Sequence, residues 1–551
     1  MKCPQLTQFL FFSIVLCLID AQNDLNTIFE KTADWFKEFL PKNAPTLASL
    51  PFIPPTTPKM SLLNFSPIFP TPPPISMMMS MSKHGYPPGI SRIQAPISFP
   101  TFPPLPTFPT PKPFPTLPTS NFTFPPLSAN SMKMLPPVNI TLDPEALMSV
   151  PEIVTHWGYP VEEYNVVTKD GYILTLHRIP YGRNETRSKK LRPVVFLQHG
   201  LLCTSSIWLL NLPSQSAGFV FADAGFDVWL GNMRGNTYSK SHLRMDHRDA
   251  KYWRFSWEEM ARYDLEAMVD GILNVTKQKQ LYFIGHSQGT LTMFAKLVLS
   301  RGFAGKIRKF FALAPVARLV NVKGMFHTLG ETYPQFKLFY EMIGDKEFLP
   351  NNIFTRLLTD VLCDRKMKNP LCEDFIYQVS GPDSNQLNKT RIGIYLAHNP
   401  AGTSWKNIIH YAQMVKSGKM RPFDYGADHS MKLYGRTHPP EFDLSQVEVP
   451  LYLFYSDADW LATSNGVEGF ILKMIDQKYI KLSKKLSDFN HNDFLWGLRA
   501  REEIYDVIVN VISLDHRKFR IQDGVRRYLE AKSNLSPNST SDSFLENLLR
   551  E

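Results

Sequence analysis

In the run LYFIGHSQGT, residues 281–290, a serine stands between two glycines, and this is the residue of the chain best placed for covalent chemistry. Gly285, Ser287 and Gly289 keep the G-x-S-x-G spacing of a nucleophile elbow. Leu281, Phe283 and Ile284 favour a strand, whereas LTMFAKLVLS after Thr290 carries apolar residues at helical spacing, so the period changes at the serine. So sharp a bend needs backbone angles and close approaches that glycine tolerates. The hydroxyl would stand at the end of a strand beside a helix N-terminus, whose amides and dipole favour a developing negative charge. Serine attacks only when a base takes its proton, and the base needs a third group to hold its tautomer. Asp457 and Asp459 follow the strand-like run VPLYLFYS, and His491 follows a further strand-like run, within SDFNHNDFLW. Serine, acid, histidine is one of the chain orders in which such triads occur. Asp459 is the better acid, because a carboxylate must clear the strand end to reach the histidine; Asp457 is the alternative. An oxyanion hole needs two amides, one from the residue after the serine, Gln288. The other should come from a loop after an earlier strand, where RPVVFLQHGLLC offers Leu201, with Gly200 free to turn the backbone.

These groups need a rigid frame. From about residue 139 to 515, strand-like runs (EEYNVVT, YILTLHRI, RPVVFLQHG, FDVWLGN, QLYFIGH, KFFALAPV, VPLYLFYS) alternate with helical or loop stretches. That alternation predicts an α/β fold, a largely parallel sheet with helices on both faces. The interval from about 318 to 446 breaks the rhythm and reads as an inserted, mostly helical cap. It contains Cys363 and Cys372, nine apart, which can close a small loop worth roughly 2 to 3 kcal/mol. A metal would need further ligands nearby and none is evident, so neither metal nor cofactor is expected.

The flanks read differently. Residues 1–21 have a lysine, an apolar stretch from Phe9 to Ile19 and a small residue at Ala21, the pattern of a signal peptide, too short for a membrane span of ~20 residues. No later stretch is long and apolar enough to cross a bilayer, so no transmembrane anchor is expected, and the protein should be secreted or delivered to the lysosomal lumen. Eight N-x-S/T sequons, among them Asn184, Asn274 and Asn388, agree with that route. Cleavage removes Cys3 and Cys17, leaving Cys203 unpaired if Cys363 joins Cys372. Residues 22–40 form an amphipathic helix candidate. Residues 41–138 hold 27 of the 45 prolines and form a disordered linker, either a passive spacer or a segment binding an aromatic groove or a lipid surface. Six of the ten net positive charges lie in that linker, leaving +4 interspersed elsewhere, which argues against a nucleic-acid partner. Residues 516–551 are expected to be a polar, mobile tail.

A resemblance adds to this reading. ITLDPEALMSVPEIVTHWGYPVEEYNVVTKDGYILTLHRIPYG, VVFLQHGLL, DAGFDVWLGNMRGNTYS, GHSQGT, ALAPVA, HNPAGTS, DWLA and NHNDFLW resemble, in order over about residues 140–515, the gastric and lysosomal acid lipases. The resemblance implies an α/β-hydrolase core with cap and lid, acting on triacylglycerols or cholesteryl esters at a lipid–water interface at acidic pH. It places the nucleophile on Ser287, the acid on Asp459, the base on His491, the oxyanion donors on Leu201 and Gln288, and a cap disulfide on Cys363 with Cys372. A carboxylesterase or thioesterase of the same fold shares the triad, and a silent lipid-binding protein shares the frame. The proline-rich insert and the stretch GADHSMKLYGRTHPPEF depart from the family pattern.

Overall fold

In the computed structural model of the protein, residues 143–186, 191–351 and 370–535 are described. The expected signal peptide, the helix candidate at 22–40, the proline-rich segment and Cys363 lie outside them.

Strands run at Glu162–Val167 (β1), Tyr172–Ile179 (β2), Val194–Gln198 (β3), Asp227–Leu230 (β4), Ser241–His242 (β5), Leu281–His286 (β6), Ile307–Leu313 (β7), Glu347–Phe348 (β8), Thr403–Ser404 (β9), Leu451–Ser456 (β10) and Ile480–Leu486 (β11). A nine-stranded sheet takes the order β1-β2-β4-β3-β6-β7-β10-β11, with β5 added to β2. β1, β2 and β4 meet antiparallel; beyond β4 each neighbouring pair on the path is parallel. Burial follows from that position. The central strands β3 and β6 are buried at every residue, as strands covered on both faces must be, and their sequences VVFLQ and LYFIGH are correspondingly apolar up to Gln198 and His286 at their ends. β1 and β11 at the two edges alternate between half-buried and exposed residues, and the exposed Lys481 and Lys485 of β11 discourage pairing with another chain.

The helices that matter for the site are Leu265–Thr276 (α1), Gln288–Leu299 (α2), Gly324–Glu331 (α3), Tyr333–Ile343 (α4), Pro370–Ser380 (α5), Ile392–His398 (α6), Trp405–Ser417 (α7), Ala427–Tyr434 (α8), Asp493–Trp496 (α9) and Asp506–Leu535 (α10). α2 is buried from Gln288 to Leu297 and lies against the sheet. There Phe294 meets Phe310 with ring centres 5.1 Å apart, and Phe310 meets Phe283, which meets Phe196, both at 5.5 Å. Such aromatic pairs add to the area they bury and hold three central strands in one slab. Helices α3 to α8 occupy the interval between β7 and β10, together with a two-residue antiparallel ribbon of β8 and β9 that the sequence pattern did not suggest.

Two observations bear on the domain limits. Glu145, buried near the start of the described chain, accepts from Arg391 at 3.1 and 2.7 Å and from Trp157 Nε1 at 3.1 Å, while His398 Nε2 lies 2.8 Å from its carbonyl oxygen. The expected mobile tail after 515 needs correction: α10 continues unbroken to Leu535. Asp515 is a fixed point of that helix, accepting from Tyr282 at 2.7 Å, from Lys309 at 2.9 Å and from Arg308. Arg308 also lies over the ring of Phe519 at 4.7 Å, so helix contacts with β6 and β7 persist beyond the expected boundary. Among the described residues no helix is long and apolar enough to cross a membrane.

Candidate active site

β6 ends at His286 and α2 begins at Gln288, leaving Ser287 alone at the bend with φ 53° and ψ −118°. A non-glycine residue held in that region is strained, and the surroundings fix it. Its amide donates to Leu313 O at 3.1 Å, and its carbonyl accepts from the Thr290 hydroxyl at 2.6 Å and from the amides of Thr290 and Leu291. The flanking glycines are required by space. A Cβ on Gly289 would stand 2.4 Å from the carbonyl oxygen of Gln198, and one on Gly285 would stand 2.9 Å from the Gly289 backbone.

Three loops converge on that serine. His491, in the loop between β11 and α9, places Nε2 2.8 Å from Ser287 Oγ and Nδ1 2.8 Å from Asp459 Oδ2. Asp459, in the loop after β10, is held on its other oxygen by the amides of Leu461 and Ala462, each at 2.8 Å. Since a carboxylate oxygen accepts, Nδ1 carries the proton and Nε2 faces the serine as an acceptor. All three side chains are buried, at 2–3% exposure. Asp457 takes no part: it is exposed, accepting from Lys485 at 2.9 Å and Ser464 at 2.7 Å.

The third loop brings Gly200 against the serine, where an added Cβ would stand 3.1 Å from Ser287 Cβ. Leu201 follows. Its amide shares one planar peptide with the Gly200 carbonyl and points the opposite way. That carbonyl is held by His199, whose Nε2 receives Met233 N and Asn236 Nδ2, each at 3.1 Å, so Nδ1 carries the proton and donates to Gly200 O at 2.8 Å. Burial lowers the His199 pKa to about 4 and keeps the ring neutral. Gln288, as the first residue of α2, has an amide without an intrahelical acceptor. Its side-chain oxygen accepts from Asn407 Nδ2 on α7 at 2.9 Å, and Asn407 Oδ1 accepts from Trp257 N at 2.8 Å. Cys203 is free, with Sγ donating to Leu201 O at 3.2 Å, and burial pushes its thiol up to about 12.

The interval between β7 and β10 also reaches the loops that carry Asp459 and His491. The Ser380 carbonyl at the end of α5 accepts from His491 N at 2.9 Å and Trp460 N at 3.3 Å, and Pro382 O accepts from Asn490 Nδ2 at 3.1 Å. Gly381 has φ +125°, and a Cβ there would stand 2.4 Å from the Ala458 carbonyl. Cys372 of α5 is disulfide-bonded; its expected partner, Cys363, lies outside the described residues. The sequence puts His199 in the expected oxyanion loop without giving it a role, and it does not single out Asn407 or Ser380 as members of this site. For Asn407 no local signal existed, since its partner is 119 positions away.

A bent serine on the central strand of a parallel sheet, with acid and histidine on the two loops beyond, defines an α/β-hydrolase. The family described as alpha/beta hydrolase fold matches residues 193–498, and that described as partial alpha/beta-hydrolase lipase region matches 150–212. Lipase lipl-1 of Caenorhabditis elegans is 47% identical over 68% of this chain and 93% of its own. Human gastric triacylglycerol lipase is 42% identical over 68% of this chain and 93% of its own, and human lipase member K is 41% identical over 67% and 91%. The chain belongs to the gastric and acid lipase family, and it is a carboxylic ester hydrolase of the lipase class.

Proposed function

We propose that the protein is a secreted or lysosomal serine lipase that cleaves triacylglycerols or cholesteryl esters through a covalent acyl-enzyme, with Ser287, His491 and Asp459 as its triad. The carrying observation is the unbroken relay from Asp459 through His491 to Ser287, both links 2.8 Å. His491 Nε2 takes the Ser287 proton as Oγ bonds to the ester carbonyl carbon, and the amides of Leu201 and Gln288 stabilise the oxyanion. Collapse breaks the ester C–O bond; the leaving alcohol takes the proton from His491, and the acyl group stays on Oγ. Water then attacks the acyl-enzyme, giving its proton to His491, and collapse returns that proton to Ser287 with release of the fatty acid. Asp459 orients the ring and offsets its positive charge.

Lipase rather than soluble esterase is favoured by the cap, where Leu338 and Met342 on α4 and Met431 and Leu433 on α8 are exposed, as contact with a lipid surface requires. The relatives' names as lipases point the same way. Ser287→Ala should lose at least ~1000-fold in turnover and all labelling by a fluorophosphonate, and Asp459→Asn should be far slower than Asp457→Asn. Retained turnover in Ser287→Ala refutes the mechanism. Competition between short soluble and long emulsified esters separates lipase from esterase, and N-terminal mapping of protein recovered from medium and from lysosomes separates the two destinations.

A further inference from the structure

We propose that His286 is a positioning residue for the base, its Nε2–H holding the backbone carbonyl of His491 so that the elbow and the imidazole loop are locked together. The inference rests on reading His491 as the base.

His286 is the last residue of β6, one position before Ser287, and is 2% exposed. Its Nε2 lies 2.9 Å from His491 O. A carbonyl oxygen only accepts, so the ring is the Nε2–H tautomer. Its Nδ1 is buried and has no hydrogen-bond partner among the described residues, which leaves the link to His491 as the ring's one hydrogen bond there. A core position at a strand end would be filled more cheaply by leucine, since a buried polar ring with one unmet acceptor is costly. The carbonyl it meets belongs to the residue whose imidazole must face both Ser287 and Asp459. His491 is thereby held at four points: N–H by Ser380 O at 2.9 Å, C=O by His286, Nδ1 by Asp459 and Nε2 by Ser287. Without the carbonyl link the loop is restrained on one side, and the 2.8 Å separation from Ser287 Oγ is free to drift.

The same ring touches the third loop, because a Cβ on Gly200 would stand 3.2 Å from His286 Nδ1. His286 thus stands between the proposed base and the proposed oxyanion loop. His491, with ring centre 4.9 Å away, and His199 are the histidines whose charges act on it. Burial, with these neighbours, holds the His286 pKa well below the ordinary histidine range, which disfavours a second positive charge beside the imidazolium.

The test uses full-length protein and a soluble short-chain ester. Glutamine places its Nε2 the same number of bonds from Cα as histidine does, whereas asparagine stops one bond short and phenylalanine has no donor. His286→Phe and His286→Asn should lose roughly 10- to 100-fold in kcat with KM within about twofold, and His286→Gln should recover most of kcat. Fluorophosphonate labelling rates should follow kcat in the same order. Unchanged kcat in His286→Phe, or equal activity of His286→Gln and His286→Asn, overturns the inference; the second comparison holds even where the phenylalanine variant fails to fold. Ser287→Ala is run alongside. If it retains turnover, the reading of the site has failed; if it is dead while His286→Asn matches wild type, the positioning role alone has failed.

Discussion

Replacing Asp493 by asparagine should remove a pH-dependent part of the protein's stability, because this carboxyl keeps its proton in the folded state over a range where the unfolded chain has lost it. Burial is the main cause and lifts the Asp493 pKa from 3.8 to about 7. Asp488 and Asp383 add to the rise, while the Ser384 hydroxyl and the Asn490 amide, which donates to Oδ2 at 2.7 Å, oppose it. Between 3.8 and about 7 the folded protein binds one more proton than the unfolded chain, so each pH unit gained costs about 1.4 kcal/mol. Across the window the loss totals roughly 4 kcal/mol, and beyond either limit the group adds no slope. Asparagine does not titrate. Urea unfolding of wild type and Asp493→Asn at matched pH values checks this, since other titrating groups cancel in the difference. The difference should shift in favour of the variant by about 1.4 kcal/mol per unit as pH rises, then level off near pH 7. A difference flat within about 0.5 kcal/mol across the window would refute the reasoning.

Gly381→Ala forces a Cβ to within 2.4 Å of the Ala458 carbonyl at a φ of +125°, so the loop carrying Asp459 must move. Its kcat should fall at least about tenfold with circular dichroism unchanged, and wild-type kinetics would contradict the placement. Arg391→Ala leaves Glu145 buried without its cation and should cost about 3 to 5 kcal/mol in denaturant unfolding. By the same contact, a secreted form beginning at residue 139 should fold and hydrolyse soluble ester, whereas one beginning at residue 150 loses Glu145 and should not accumulate. Non-reducing peptide mapping should find Cys203 as a free thiol and Cys363 joined to Cys372; Cys203 in a bridge would overturn both.

What could be read from the sequence was what local chemistry writes into a short stretch. Leu281, Phe283 and Ile284 read as a strand, and the serine after it stands at the bend because Gly285 and Gly289 leave room where a Cβ would stand 2.9 and 2.4 Å from backbone. Asp459 could be preferred over Asp457 by strand geometry alone, and the structure turns Asp457 outward to Lys485. The supports were not legible. Asn407 and Ser380 act across more than a hundred residues, and nothing in WKNIIHYAQ or YQVSGPD says that an amide or a carbonyl will face a loop of the core. His286 lay inside the run LYFIGHSQGT, yet a histidine before a serine is uninformative until its ring is seen to face the His491 carbonyl. The end of the domain was misplaced because HRKFRIQDGVRRYLE is polar enough to read as a tail. Its helix is instead carried past residue 515 by Asp515 and by Arg308 over Phe519.

Taken together, the contacts make the cap part of the proposed catalytic frame as well as its cover. A removable cap would touch the core through side chains at its rim. Here one backbone carbonyl, Ser380 O, accepts from the amide of Trp460, next to the acid, and from the amide of His491 itself, and Leu498 N of the core donates to Gln386 O at 3.0 Å a few residues on. Backbone bonds of this kind are indifferent to side-chain substitution, so the frame tolerates drift in sequence while keeping the distance between Asp459 and His491. The anchoring also divides the cap by function. The segment from Ser380 to Leu387 is stitched to the triad loops and cannot swing without breaking the relay. The exposed apolar residues of α4 and α8 carry no such constraint and are free to meet a lipid surface. On the proposed reading, substrate entry therefore leaves the segment from Ser380 to Leu387 in place.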